Sequence, residues 1–162
     1  MKKNINFLDL GLQPLANNYI KKNQLINREK KYRLKIGLNL RSKLVSINKP
    51  ISSKIMFNNK YPYRSSMSKT MTVSFKNLSK LINKKFKPNK ILEIGSNDGS
   101  FIKNFSKKKV IGIEPCSNVE KITKKMGFNT YPKYWSSKTA KQLLIKNGKV
   151  DLIYSANTIS HI

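Results

Sequence analysis

Ile91-Leu92-Glu93-Ile94-Gly95-Ser96-Asn97-Asp98-Gly99-Ser100 decides the fold. A short apolar run that ends in a glycine-bounded turn reads as a strand covered on both faces. Phe101, Ile102 and Phe105 then predict a helix over 100–106 with one apolar face. The same unit repeats downstream. Val110-Ile111-Gly112-Ile113 is a second strand that closes on Glu114-Pro115. A second helix spans 117–126, with Val119, Ile122 and Met126 inward and Gly127 as its cap. A weaker strand over 128–131 follows. The third helix covers 136–147, with Ala140, Leu143 and Leu144 inward and Gly148 as cap, and 150–154 is the fourth strand. Strands alternating with helices of about ten residues predict an α/β fold, a partial doubly wound parallel sheet of about four strands.

The turn between the first strand and its helix is where such a sheet binds a nucleotide-like ligand. Gly95 allows a sharp turn and close backbone approach, and Gly99 lets a ligand lie against the start of the helix. Glu114 ends the second strand about twenty residues on, where a carboxylate can take both ribose hydroxyls. A dinucleotide fingerprint is Gly-x-Gly-x-x-Gly; here Asn97 stands where the second glycine makes room for pyrophosphate. Glu93 and Asp98 add negative charge, which repels phosphate and attracts a cation. S-adenosylmethionine suits this loop better, with its ammonium, its sulfonium and no phosphate. No Gly-x-x-x-x-Gly-Lys-Ser/Thr occurs, which excludes a P-loop.

Upstream, Met67, Met71, Phe75, Leu78, Leu81, Ile82 and Phe86 recur at helical spacing, and Lys87-Pro88 stops that helix. This Met and Phe stripe is expected to be core. Residues 1–66 carry turn signals at Gly11, Gln13-Pro14, Asn17-Asn18, Asn48-Lys49-Pro50, Asn58-Asn59 and Tyr61-Pro62. Short strands are expected over 32–36 and 44–47 in a small irregular, mostly β lobe. The domain reading is therefore 1–66 as a small N-terminal lobe, 67–88 as a linking helix and 89–162 as a partial S-adenosylmethionine-binding core.

The 162 residues carry a net charge of +27, from 34 Lys+Arg against 7 Asp+Glu. A nucleic-acid partner is one explanation. The excess is nearly all lysine, spread along the chain with many Asn and Ile. Arginine, the better fork for bases and phosphates, occurs only at 28, 33, 41 and 64. Coding bias explains that pattern better than nucleic-acid recognition does. The few carboxylates are more informative, because Glu93, Asp98, Glu114 and Asp151 fall at strand ends. No apolar run reaches the ~20 residues of a membrane helix. Met1-Lys2-Lys3 and the apolar segment to Leu15 mimic a leader, but Asp9 and Pro14 interrupt it, so it reads as mature protein in a cytoplasmic location. One cysteine, Cys116, makes no disulfide framework.

At these motifs the chain resembles the sugar C-methyltransferases, class I S-adenosylmethionine-dependent enzymes that act on keto nucleotide-sugars. The resemblance runs through 92–99, through Gly112-Ile113-Glu114-Pro115 and through 151–162. It includes the opening segment Phe7-Leu8-Asp9-Leu10-Gly11-Leu12-Gln13-Pro14-Leu15-Ala16-Asn17 and Tyr61-Pro62-Tyr63-Arg64-Ser65-Ser66-Met67-Ser68. It implies that Glu93, Gly95, Ser96, Asn97, Asp98 and Gly99 line the methionine and ribose part of the cofactor. Glu114 would hold the ribose hydroxyls, and Asn157 would sit beside the cofactor. Tyr61, Tyr63, Ser65 and Ser66 would face the nucleotide-sugar substrate.

The family's first lobe carries zinc on two Cys-x-x-Cys pairs. Here only six residues precede Phe7, none of them cysteine, and the second pair falls on Asn39 and Ser42. No zinc is expected, since a structural site needs four soft ligands. The family also continues past His161-Ile162 into further strands and another domain that holds its catalytic base. The expectation is a truncated member, weak or inactive alone, whose catalytic residues are unknown. Its fourth strand would be an edge, open to a separate C-terminal half or to self-association. A non-enzymatic basic partner subunit and a nucleic-acid methyltransferase stand as alternatives.

Overall fold

The computed structural model describes residues 4–24 and 29–162, and the chain falls into two units, 1–56 and 57–162. Met1 to Lys3, the basic start of the leader-like segment, lie outside the described residues. No helix among the described residues is long and apolar enough to cross a membrane.

In the first unit β1 (Asn4–Pro14), β2 (Lys31–Asn39) and β3 (Val45–Ile47) form an antiparallel sheet in that order. The sequence reading left 1–30 irregular, yet β1 is an 11-residue strand. Its turn signals act as bulges: register shifts fall between Asn6 and Leu8 and between Asp9 and Leu12. The second is stapled by Asp9, whose Oδ1 accepts the Gly11 amide at 3.0 Å while Arg33 donates to its carboxylate, Nη2 to Oδ2 at 2.6 Å. That guanidinium holds the Asp9 carboxyl down to about 2. Ile5, Phe7, Leu8, Leu10 and Leu12 remain exposed, so the backbone ladder and this clasp carry the sheet. A five-residue connection, 40–44, joins β2 to β3, and a one-turn helix, α1 (Ser53–Met56), ends the unit.

The second unit runs from Phe57 to Ile162. It comprises α2 (Lys69–Lys85), β4 (Ile91–Ile94), β5 (Val110–Ile113), α3 (Ser117–Lys125), β6 (Asn129–Tyr131), α4 (Ser137–Asn147) and β7 (Leu152–Tyr154). The four strands are parallel in the order β6-β5-β4-β7. Both central strands are wholly buried, because helices cover both faces. On one face Ile91, Val110 and Leu152 meet Phe75 and Ile82 of α2 together with Phe101, Ile102 and Phe105. On the other, Leu92, Ile94, Ile111 and Ile113 meet Leu143 of α4. This is the doubly wound α/β arrangement expected from the strand–turn–helix alternation.

Several local expectations are corrected. The helix over 100–106 is replaced by a 3₁₀ turn, Ile102–Asn104, which ends where Phe105 returns to extended backbone (φ −122, ψ 164), and a second 3₁₀ turn follows at Lys107–Lys109. In the first helix Phe75 and Ile82 are core, but Met67, Leu81 and Phe86 are exposed. Met67 precedes the helix, Leu81 lies about 100° round from Ile82, and Phe86 is the C-cap. Leu144 likewise faces solvent beside buried Leu143. In α3, Glu120 and Thr123 are buried with Val119, joined to β6 by a Thr130 hydroxyl that donates to Glu120 Oε1 at 2.9 Å. β7 is an edge strand, with Ile153 58% exposed on the α4 face.

Candidate functional site

The site lies at the carboxyl ends of β4 and β5. Gly95, at φ +77, turns the chain so sharply that its own amide and that of Ser96 both donate to Ile113 O, at 2.8 and 2.9 Å. A side chain at 95 would also strike Thr158, whose Oγ1 lies 2.3 Å from where a Cβ would stand. The segment after β7 therefore closes over this turn. Gly99, at φ +82, is needed for packing: a Cβ would lie 2.7 Å from Thr123 Cγ2 of α3. Asn97 adopts φ +47, a left-handed conformation that asparagine tolerates better than most residues.

Three carboxylates are buried here, Glu93, Asp98 and Glu114. Glu114 bridges two loops: Oε2 accepts the Asn97 amide at 2.9 Å and Oε1 the Cys116 amide at 2.8 Å. Burial raises its carboxyl above the usual range against the pull of those amides. Asp98 accepts the Ser100 hydroxyl at 2.8 Å and the Ser66 amide at 3.2 Å. Glu93 is less well served. The Ile102 amide supports it, but Oε2 has no partner among the described residues. Burial first, then the charges of Glu114 and Asp98, push its carboxyl well above the usual range. The buried Ser96 hydroxyl is also without a partner among the described residues. Burial, with Glu114 beside it, pushes the Cys116 thiol up, away from thiolate reactivity.

The segment 57–66 borders this cluster. Asn118 Nδ2 donates to Tyr61 O at 2.8 Å and Asn97 Nδ2 to Tyr63 O at 3.3 Å. The Ser65 amide donates to Asn97 Oδ1 at 2.8 Å. Phe57 packs edge-on against Tyr61 and against His161, with ring centroids 5.4 and 5.5 Å apart. Tyr134 donates its hydroxyl to Phe57 O. The structure thus brings Glu93, Gly95, Ser96, Asn97, Asp98, Gly99 and Glu114 together and sets Tyr61, Tyr63, Ser65 and Ser66 beside them. Tyr63 and Ser66 remain exposed, as does Asn157, which holds a left-handed φ of +52. Phe57, Asn118, Tyr134 and Thr158 were not singled out by the sequence. Asn118 alone offered a signal, as a polar residue in the first turn of the helix after Glu114.

Residues 2–57 match a family model described as "Putative zinc binding domain", and residues 63–162 match one described as "Methyltransferase domain". No curated protein matches. Among solved structures, the plantazolicin methyltransferase BamL, in complex with triazolic desmethylPZN analog and SAH, is 22% identical. That match covers 46% of this chain and 31% of BamL, with a TM-score of 0.35, a likeness too slight to bear on function. The methyltransferase match takes in 63–66, the glycine turn and all four parallel strands, more than half of the sequence. The chain belongs to the methyltransferase domain family.

Proposed function

We propose that residues 57–162 bind S-adenosylmethionine for methyl transfer, with a keto nucleotide-sugar as the acceptor. The observation that carries this reading is the buried Glu93–Asp98–Glu114 cluster, with Glu93 Oε2 and Ser96 Oγ unpartnered, beside the Gly95 turn. A carboxylate cluster favours a cation and opposes a phosphate. The cofactor supplies an electrophilic methyl group on a positive sulfonium. Glu93 and Ser96 would hold its amino-acid end, Glu114 its ribose, and the backbone of 95–99 would line it. The chain's own contribution is orientation and exclusion of water. The acceptor class rests on the Tyr-x-Tyr-x-Ser-Ser segment bordering the cluster, with Tyr63 exposed there. Calorimetry is expected to show S-adenosylmethionine binding about a hundredfold more tightly than NAD, a difference of ~2.7 kcal/mol. Equal affinities, or a preference for NAD, would remove the methyltransferase cofactor from this site.

We further propose that the first unit holds no zinc. Residues 2–57 contain neither cysteine nor histidine. The hairpin at the expected metal position is instead closed by its own side chains. Asn39 Oδ1 accepts the amides of Arg41 and Ser42 at 3.0 and 2.9 Å, an Asx turn. The Lys43 amide donates to Asn39 O at 2.8 Å. These residues do not fit a thiolate metal site. Metal analysis is expected to find far less than one zinc per chain, and a chelator should leave the melting curve unchanged. A stoichiometric zinc that survives dialysis, or a chelator-induced loss of structure, would refute this.

A further inference from the structure

We infer that Asn97 and Asp98 are positioning residues for the substrate-facing segment, so that cofactor in the 95–99 loop fixes the backbone of 63–66; this rests on the cofactor reading above. In a dinucleotide-binding turn the position of Asn97 is a glycine that makes room for the pyrophosphate. Here its side chain turns the other way. Its Oδ1 takes the Ser65 amide at 2.8 Å and its Nδ2 reaches Tyr63 O at 3.3 Å, while Asp98 Oδ2 takes the Ser66 amide at 3.2 Å. Three bonds from two adjacent loop residues thus fall on three residues, Tyr63, Ser65 and Ser66, 32–34 positions earlier in the chain.

Every one of those bonds ends on backbone of the 63–66 segment, so the Tyr and Ser side chains stay free for an acceptor. Asn97 holds a left-handed φ of +47 while both of its polar side-chain atoms reach the segment. The same loop is held from below by Glu114, which binds the Asn97 amide. Asn97 therefore has its main chain on the cofactor side and its side chain on the acceptor side. A ligand that orders this loop must also order 63–66, and linkage makes the effect reciprocal. The consequence is ordered binding, in which the acceptor meets a finished surface only after the methyl donor has arrived.

Hydrogen exchange at the Ser65 and Ser66 amides, read by NMR on the full chain, tests this. S-adenosylhomocysteine at saturation, with binding measured in parallel by calorimetry, is expected to slow both amides about fivefold or more. Asn97→Gly suits the left-handed conformation and removes only the side chain. It should erase the slowing at Ser65 while melting as a folded protein. Asn97→Asp keeps an acceptor at the same place and should restore the slowing, which a general structural role for Asn97 would not produce. Should the cofactor product bind with no change at Ser65 and Ser66, or the glycine variant retain the full effect, the coupling is wrong and the cofactor reading stands. Flat calorimetry with the wild-type chain would overturn the cofactor reading, and this inference with it.

Discussion

Glu93→Gln is expected to raise the melting temperature of the ligand-free protein at pH 7 and to weaken cofactor binding. Glu93 is 3% exposed, one of its oxygens has no partner, and Glu114 and Asp98 crowd it with like charge. An amide of the same shape keeps an acceptor for the Ile102 amide and carries no charge to desolvate. Relief of an unsatisfied buried charged group is worth about 1–3 kcal/mol, or roughly 2–4 °C per kcal/mol in a chain of this size. The pH dependence has a definite sign. The folded carboxyl titrates well above the ordinary value of 4.5, so its stabilising contribution is complete below that value. It is lost as pH rises through the folded pKa. Wild type should therefore lose stability from about pH 4.5 upward, and the Gln protein should lose less. Melting curves across a pH series would show it. A variant that melts lower than wild type at pH 7, or with the same pH slope, would mean that Glu93 is satisfied. Affinity should fall at least about tenfold, because the charge proposed to hold the cationic end of the ligand is gone.

Glu114→Ala should do the reverse to stability and more to affinity. Both Glu114 oxygens are occupied, by the amides of Asn97 and Cys116, so truncation strands two buried donors. At about 1.5 kcal/mol or more for each charge-assisted bond, the loss is roughly 3 kcal/mol, which outweighs the relief of its own burial. The loop that Glu114 ties down is the one proposed above to receive the cofactor. S-adenosylmethionine affinity is expected to fall well beyond tenfold, with Glu114→Gln intermediate because one acceptor survives. Calorimetry and melting on the three proteins would decide it. Unchanged affinity in the alanine protein would remove Glu114 from the site, and unchanged melting would mean that the two amides find other partners. Two neighbouring buried carboxylates thus carry opposite predicted signs, and the difference is one unpartnered oxygen.

The parallel core was legible because Ile91–Ile94 and Val110–Ile113 are apolar at every position but one, Glu93 in the first and Gly112 in the second, which only strands covered on both faces require. Glu93, Gly95 and Glu114 were legible for a related reason: a carboxylate or a glycine at a strand end stands out in a chain so poor in acids. β1 was missed because its bulges break the two-residue alternation that marks a strand. The one-turn replacement for the expected helix at 100–106 was missed because Phe101, Ile102 and Phe105 are buried by either conformation. The bonds from Asn97 and Asp98 to residues 63–66 left no trace in the sequence. They end on backbone atoms, which every residue has, so no pattern of side chains announces them.

The burial of the acids shapes the outside of the molecule as well. Glu93, Asp98, Glu114 and Glu120 are interior, Asp9 is held by Arg33, and Asp151 accepts the amides of Asn89 and Lys90 at 2.9 and 2.8 Å. What faces water is dominated by lysine, with Asp9, Asp151 and the half-buried Glu29 as its few anions. Such a surface gathers any polyanion through counterion release, in proportion to the phosphates it touches and without regard to their order. RNA or DNA retained by this protein at low salt and shed at moderate salt would therefore report the solvent-facing charge of the fold and not the chemistry of the site beneath the 63–66 segment.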